Sequence, residues 1–313
     1  RRSRHDDGAG LDRVGAAGKG ESVWLAWFLV DVIRRFTRLL GHAGGSDAEA
    51  ERWAARADAY ARACEESAWD GRWYLRAFYD DGTPLGTAAA SEWRIDSMAR
   101  SGAVLGGAAP AGRARAARRS VEGLWVGWGE GLRRPATPPF DRSPKDPGYI
   151  KGYLPGVREN GGQYTHGAVW SAWAFARLGE RAKAHAMHQL LAPVLHAADR
   201  EGAERYVVEP YVMAADVYGQ PPHVGRGGWS WYTGSAAWFY RFGLEGLLGL
   251  ERVSDELRLD PRVPAEWPGF EGRYRHGTST YVLRARPGAA PANLVTRLLD
   301  DGEEHVVDVV YAV

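Results

Sequence analysis

Residues Tyr153 to Trp170, which read YLPGVRENGGQYTHGAVW, crowd polar side chains into a stretch with neither a helical nor a strand period. Gly161 and Gly162 interrupt the backbone, and the apolar series that begins at Ala168 predicts a helix. We therefore predict a loop that leads into a helix. Its side chains with binding chemistry are Arg158, Glu159, Asn160, Gln163, Tyr164, Thr165 and His166.

Two helix starts are candidates for binding an anion. His166 stands just ahead of the first predicted helix, where its imidazole and the first backbone N–H groups could together hold a negative charge. A capping or core-edge histidine is the alternative. A second Gly-rich loop, GQPPHVGRGGWSWYTG, places Tyr232, Thr233 and Gly234 at another predicted helix start, although Thr233 alone could be a simple N-cap. If the two helix starts face the same cavity, they would together form a phosphate site.

Arg158 and Glu159 are neighbours of opposite charge and have two interpretations. They could form a structural ion pair. Alternatively, they could hydrogen-bond the hydroxyl groups of a sugar, with Tyr153 offering a ring face.

A proton donor is less clearly marked than the anion site. Asp6 and Asp7 in HDDG could donate a proton if burial or a neighbouring negative charge raised a carboxyl pKa, whereas exposed loop aspartates would be inert. The chain contains no HExxH, CxxC, P-loop or GxSxG motif, so we expect neither a metal nor a nucleotide site.

Composition excludes several classes of protein. Forty basic and 39 acidic residues nearly cancel, so a nucleic acid or an anionic membrane surface is not an expected partner. The single cysteine, Cys64, is expected in the core, and no apolar run is long enough to span a membrane. Fourteen Trp and 14 Tyr residues could fill a helical core or stack on sugar rings. The start, RRSRHDDGAG, leads us to expect a fragment or a processed product.

Helices in sequential pairs dominate the first 250 residues. The apolar spacing and end signals predict helices over 21–40, 46–68, 95–106, 111–128, 167–178, 180–197, 209–218 and 235–250. A hairpin is expected over 73–84, and residues 129–166 have no convincing period.

Alternating strands follow Leu250, so we predict a catalytic-type helical domain over 1–250 and a small β domain over 251–313. So many paired helices, joined by loops that carry the polar residues, favour an α/α toroid over a four-helix bundle.

Long motifs in this chain closely resemble glycoside hydrolase family 94, which includes cellobiose phosphorylase, 1,2-β-oligoglucan phosphorylase and the C-terminal region of cyclic β-1,2-glucan synthase. They are YLPGVRENGGQYTHGAVW, WYLRAFYDDGTPLGT, EWRIDSMA, VEPYVMAADVYG and GRGGWSWYTGSAAWF. The resemblance implies a mainly α chain, a partial (α/α)6 barrel followed by a small C-terminal β domain, with the first barrel helices absent.

The resemblance also implies an activity: inverting phosphorolysis of β-glucosidic bonds in β-glucan oligosaccharides, with β-1,2 linkages expected and α-glucose 1-phosphate as product. No cofactor is implied, because inorganic phosphate is a co-substrate. His166, Thr233 and Gly234 match phosphate-binding positions of the family. Tyr153, Arg158, Glu159 and Gln163 are assigned to the sugar site.

The general acid is where this chain departs from the family. The family motif reads roughly G-D-W-N-D-G-M-N-R-V-G, and the matching region here is HDDGAGLDRVG. An ungapped alignment from Asp12 backward puts the catalytic position on Ala9. With Ala9 and Gly10 treated as an insertion it falls on Asp7, which we take as the catalytic residue.

Two alternative functions follow from this disturbed motif. The chain could be a catalytically inactive, glucan-binding fragment of a synthase-like protein, or an inverting glycoside hydrolase. The expected partners are a β-glucan oligosaccharide, phosphate and the remainder of a membrane-bound synthase, with the oligomeric state open and a homodimer as one option. We expect a cytoplasmic location, alone or within a membrane-anchored parent protein.

Overall fold

The computed structural model describes residues 10–127, 132–133, 136–289 and 293–312. Helices dominate the region before residue 248, as predicted, and a π-helical turn, Phe242–Leu247, continues the last of them. The helices are α1 Val23–His42, α2 Asp47–Ser67, α3 Ser97–Leu105, α4 Ala111–Trp125, α5 Thr165–Arg177, α6 Arg181–Leu191, α7 Pro193–His196, α8 Arg200–Tyr206 and α9 Thr233–Arg241.

The larger helices form two rows. In the first row α1 packs on α3, α3 on α5 and α5 on α9; in the second row α2, α4 and α6 each pack on the first-row helix that precedes them in the chain. A double row built from sequential pairs fits a helical toroid. The first-row helices contribute large side chains to the hydrophobic core. Among them, Trp27, Val30 and Trp173 are almost completely buried.

Local signals explain where several helices begin. The hydroxyl of Ser22 accepts a hydrogen bond from Leu25 N at 3.2 Å, and the hydroxyl of Ser46 accepts one from Glu49 N at 3.2 Å. These caps start α1 and α2 close to the predicted positions. Asp96 caps α3 in the same way.

First turns of the first-row helices lie at the same end of the row. Trp24 of α1 stacks on Trp170 of α5 with ring centroids 5.8 Å apart, and Trp170 packs edge-on against Trp238 of α9 at 5.5 Å. A Cβ on Gly167 of α5 would lie 3.7 Å from Met98 of α3. Loops that lead into these helices therefore converge on one end of the helical layer.

The short strands within the helical region mostly tie these loops together. Three of them form the sheet β1-β2-β3 in the region of the predicted hairpin, while β4 pairs with β7, β5 with β6 and β8 with β9. They are β1 Glu21–Ser22, β2 Ala77–Phe78, β3 Pro84–Leu85, β4 Ile95–Asp96, β5 Val126–Gly127, β6 Leu132–Arg133, β7 Ala136–Thr137, β8 Gln163–Tyr164 and β9 Asp216–Val217.

Two helix predictions need correction, and one helix was not predicted. Residues 209–218 are not helical, because the Ala215 N–H donates to Trp229 O in another loop and the Ala215 carbonyl accepts from Thr165 N at the start of α5. The helix predicted over 180–197 is split at Pro193, which has no N–H to continue the ladder. The unpredicted α8 begins at a cap, where the Asp199 carboxylate accepts a hydrogen bond from Gly202 N.

Two three-stranded sheets follow the helices. Their orders are β10-β11-β14 and β12-β13-β15, with β13 and β15 parallel and the remaining neighbours antiparallel. The division of the chain at residue 250 stays a prediction. The strands are β10 Leu250–Val253, β11 Glu256–Leu259, β12 Phe270–His276, β13 Ser279–Gly288, β14 Leu294–Arg297 and β15 Glu304–Ala312.

Hydrophobic side chains from both sheets share one core, in which Leu257, Leu259, Tyr281 and Leu283 are nearly inaccessible to water. Within the ranges given above, none of the helices is long and apolar enough to cross a bilayer.

Candidate active site

The loop before α5 is held by a buried carboxylate. Asp216, 1% exposed, accepts a hydrogen bond at its Oδ2 from the backbone N–H of Arg158 at 2.7 Å, and lies opposite Tyr164 in the β8–β9 ladder. Burial raises the pKa of Asp216, and the hydrogen bond from Arg158 N opposes this rise. Sequence reasoning did not single out Asp216. The available signal was one carboxylate in the otherwise apolar segment VMAADV.

Asn160 fixes the turn of the same loop. Its Oδ1 accepts a hydrogen bond from Phe140 N at 2.7 Å, and its Nδ2 donates to Phe140 O and to Tyr153 O at 2.9 and 2.8 Å. Gly162 is needed beside it, because a Cβ there would lie 2.8 Å from the carbonyl oxygens of Arg158 and Gly156. The turn thus fixes the backbone on either side of Arg158.

Arg158 lies inside a cage of three tyrosine rings. Its guanidinium carbon is 5.6 Å from the ring centroids of Tyr153 and Tyr164 and 6.0 Å from that of Tyr232. The residue has φ +48°, an uncommon conformation for a side chain of this size. We call these four residues the Arg158 cage. It joins the two loops that sequence analysis treated separately, and Tyr164 and Tyr232 were not predicted as its walls.

Glu159 pairs with Arg158 inside the site. Its Oε2 lies 3.6 Å from Arg158 Nε, and neither atom has a hydrogen-bond partner within the described part of the chain. Burial raises the pKa of Glu159, although the Arg158 charge opposes the rise. Burial lowers the pKa of Arg158, but the Glu159 carboxylate and the three tyrosines together outweigh it, so that the net direction of the pKa shift is upward. The pair is close enough to attract, and both atoms are shielded from solvent with their hydrogen-bonding capacity unused.

His166 is the second residue of α5, because the helix begins two residues earlier than predicted. Its ring packs edge-on against Trp170 with centroids 4.7 Å apart and lies 6.1 Å from the ring of Trp238. Burial lowers the pKa of His166, and its Nε2 has no hydrogen-bond partner among the residues that the structure describes. A neutral imidazole with an unused nitrogen therefore lies in the first turn of α5.

Thr233 and Gly234 begin α9 directly beside that imidazole. A Cβ on Gly234 would lie 3.9 Å from Cε1 and 4.0 Å from Nδ1 of His166, so the bare glycine leaves space next to the ring. Both α9 residues are exposed. The hydroxyls of Tyr164 and Tyr232, the residues preceding the two helices, are 3.0 Å apart. The two helix starts predicted from the sequence are thus adjacent.

First-turn N–H groups of α5 and α9 receive no side-chain cap from Tyr164 or Tyr232, in contrast to α1, α2, α3 and α8. Uncapped N–H groups at a helix start, together with the positive end of the helix dipole, can bind an anion. We refer to His166, Thr233 and Gly234 as the anion site.

The remaining predicted residues are Gln163, Tyr153 and Asp7. Gln163 is 1% exposed, and its backbone pairs with Val217 in β8–β9. Tyr153 is half-buried and forms one wall of the Arg158 cage. Asp7 lies outside the described residues.

Comparison with known proteins identifies the family. A model described as "Glycosyl hydrolase 94 superfamily, catalytic domain" matches residues 3–249. Cyclic beta-(1,2)-glucan synthase NdvB of Rhizobium meliloti (strain 1021) is 45% identical over 94% of this chain and 11% of its own length. Solabiose phosphorylase of Paenibacillus borealis is 28% identical over 96% of this chain and 38% of its own length.

A third relative is the N,N'-diacetylchitobiose phosphorylase of Vibrio furnissii, which is 30% identical over 91% of this chain and 35% of its own length. The chain therefore spans about a tenth of the synthase and a little over a third of the two phosphorylases. On the family match and the identity to the synthase, this chain belongs to the glycosyl hydrolase 94 superfamily.

Proposed function

We propose that this chain carries out inverting phosphorolysis of β-glucosidic bonds, with β-1,2-linked glucan oligosaccharides as substrates and α-glucose 1-phosphate as product. The observation that carries the proposal is the unbonded Nε2 of His166 in an uncapped helix start beside Gly234. The β-1,2 linkage is supported by the greater identity to a relative named as a β-1,2-glucan synthase than to the two phosphorylases.

The anion site would hold inorganic phosphate through His166, the Thr233 hydroxyl and the N–H groups at the start of α9. A phosphate oxygen attacks the anomeric carbon, the bond from that carbon to the glycosidic oxygen breaks, and a carboxylic acid gives its proton to the departing oxygen. Attack from the opposite face inverts the β configuration to α. Hydrolysis by inversion needs a second carboxylate to activate water, whereas phosphate is already a nucleophile.

The Arg158 cage, with Glu159 and Gln163, would form the sugar site. Arg158 offers hydrogen-bond donors, and the unbonded Glu159 Oε2 offers an acceptor for hydroxyl groups. We retain Asp7 as the proposed general acid on the basis of the sequence resemblance.

At the level of architecture, we propose that the two helical rows are part of an (α/α)6 barrel spanning residues 1–250, followed by a β domain over 251–313. A cytoplasmic location, within a longer and membrane-anchored parent protein, belongs to the same proposal. The small share of the synthase that this chain covers supports only the longer parent protein.

The activity is tested by incubating the chain with β-1,2-glucooligosaccharides and inorganic phosphate between about pH 5 and 8, the range in which enzymic carboxyl and imidazole groups titrate. We expect phosphate-dependent release of α-glucose 1-phosphate, and its loss in Asp7→Asn and His166→Asn. Absence of product throughout this range would reject the activity. Glucan binding that is insensitive to phosphate and to Asp7→Asn would instead indicate a non-catalytic glucan-binding fragment.

Glu159 gives the hydrolase alternative one supporting observation, because burial raises its pKa and its Oε2 is unbonded, as a water-activating base would require. If wild-type turnover were independent of phosphate and Glu159→Gln abolished it, the chain would be a hydrolase. Strict phosphate dependence would exclude this alternative.

A further inference from the structure

Two aromatic rings are exposed next to the site and have no role in the function proposed above. The Tyr211 and Trp231 side chains belong to residues that are 74% and 62% exposed, and their ring centroids lie 6.3 Å apart in an edge-to-face arrangement. Large exposed aromatic residues in contact with one another are commonly binding surfaces. We propose that Tyr211 and Trp231 form a stacking platform for a sugar residue of the glucan chain beyond the Arg158 cage. This inference rests on the proposed function, because it concerns the same substrate.

Trp231 is held in its exposed orientation by the protein. Its φ of +59° is uncommon for an aromatic residue, and its indole Nε1 donates to Glu209 Oε1 at 3.3 Å. A ring fixed before binding loses little conformational freedom when a ligand stacks on it. The orientation of Trp231 is therefore suited to presenting a flat apolar face to the solvent side of the loop.

Glu209 adds a hydrogen-bond acceptor beside the ring. Its own backbone N–H, the Ser230 side chain and the Trp231 indole lower the pKa of Glu209, so the carboxylate is ionised at neutral pH. An aromatic face next to a carboxylate matches a sugar, which presents apolar C–H groups on its ring face and hydroxyl groups at its edge.

The platform shares a cavity with Thr233 of the anion site. Tyr211, Trp231, Tyr232 and Thr233 line one cavity of about 790 Å³. A single residue separates Trp231 from Thr233 along the chain, which limits the distance between their Cα atoms to about 7 Å. Tyr232 also belongs to the Arg158 cage. A glucan whose reacting end is bound at the cage and the anion site would therefore have the platform within reach of its next residues.

Beyond the first turn of α9 the cavity is lined by Phe239 of this helix and by Leu244 and Leu247 of the π-helical turn, whose side chains offer no partners for hydroxyl groups. We therefore place the sugar chain at the rim formed by Tyr211, Trp231 and Glu209, not along this apolar wall.

The test measures dissociation constants of the whole chain for β-1,2-glucooligosaccharides of increasing length by calorimetry, without phosphate. We expect Trp231→Ala and Tyr211→Ala to weaken binding of long oligosaccharides by about tenfold, the order found when a contributing aromatic contact is removed, and to leave the shortest nearly unaffected. Trp231→Tyr and Tyr211→Phe, which keep a ring, should restore most of the lost affinity.

Trp229→Ala is the matched control. Trp229 lies two residues before Trp231, is 75% exposed and is absent from the lining of the cavity, so its removal should change no dissociation constant. The platform is rejected if Trp231→Ala binds every length like the wild type, if it loses affinity equally at every length, or if the wild type binds no oligosaccharide.

Phosphorolysis measured on the same variants separates this inference from the proposed function. Length-dependent binding that requires Trp231, without release of α-glucose 1-phosphate, would support the platform and reject the activity. Release of product with the same KM at every length in wild type and Trp231→Ala would support the activity and reject the platform.

Discussion

The hydroxyl of Tyr164 lies 3.0 Å from the hydroxyl of Tyr232, although 68 residues separate them in the chain. Tyr164 is the residue before α5 and Tyr232 is the residue before α9, so this contact brings two helix starts together. The same two rings flank Arg158. Burial raises the pKa of Tyr164, and its hydrogen bond to Tyr232 raises it further, which keeps the hydroxyl protonated at neutral pH.

His166→Asn is expected to weaken phosphate binding by at least tenfold, since it removes the imidazole from the anion site while keeping a side chain of polar character. Binding of inorganic phosphate by calorimetry provides the measurement. His196→Asn serves as the control, because His196 is another histidine whose pKa is lowered by burial, but it stacks on Tyr206 and not on the anion site. Equal phosphate affinity in wild type and His166→Asn would remove His166 from the site.

The stability of the protein should decrease as the pH falls below the ordinary histidine pKa of about 6.5. Burial lowers the pKa of His166 in the folded state, so the unfolded state binds more protons between that lowered value and 6.5. Urea unfolding at pH 7.5 and 5.5 measures the loss, with both values chosen to bracket this ordinary pKa.

His188 and His196 act in the same direction, because burial lowers the pKa of each. The contribution of His166 is therefore the difference between wild type and His166→Asn, and the variant should lose less stability over the same interval. Bound phosphate should also reduce the loss in the wild type, because an anion favours the protonated imidazole. Identical pH dependence in the two proteins would contradict this assignment.

Gly234→Ala should separate stability from binding. Alanine is favoured over glycine in a helix by up to about 1 kcal/mol, and the new Cβ would meet the His166 ring at an ordinary contact distance of 3.9 Å. We expect unchanged or higher stability in urea, with weaker phosphate binding because the methyl group occupies the space beside the imidazole. Gly41→Ala in α1, where a Cβ has no neighbour within 4 Å, is the control for helix propensity. Undiminished phosphate affinity in Gly234→Ala would place the anion elsewhere.

Asp216→Asn is expected to destabilise the fold by about 1–3 kcal/mol. The carboxylate is buried and accepts hydrogen bonds from the backbone N–H groups of Arg158 and Trp229, so an amide NH2 would place donor against donor. Urea denaturation provides the free energy of unfolding, with Asp58→Asn at a largely exposed position as the control. A change within a few tenths of a kcal/mol would show that Asp216 does not hold the two loops together.

Helix positions could be read from the sequence wherever the signals were local. Ser22 and Ser46 hydrogen-bond the first turns of α1 and α2. The buried residues Trp27 and Val30 of α1 recur at helical spacing, although Phe28, Phe36 and Leu39 of the same helix are exposed. The polar loop that begins at Tyr153 and the Gly-rich loop before α9 could be recognised for the same reason, since their residue types interrupt a regular period.

Tertiary structure decided what each of these loops contacts. Residues 209–218 have helical spacing in the sequence, yet the Ala215 N–H donates to Trp229 O and the Asp216 carboxylate accepts from Arg158 N, and the segment contains the short strand β9 instead of a helix. Arg158 gained its third ring from Tyr232, far along the chain, because α5 packs on α9. Periodicity and capping act over a few residues, so the sequence determines the positions of the helices. A buried polar group instead hydrogen-bonds with whichever group the packing of the chain brings next to it, and the order of residues alone does not specify that partner.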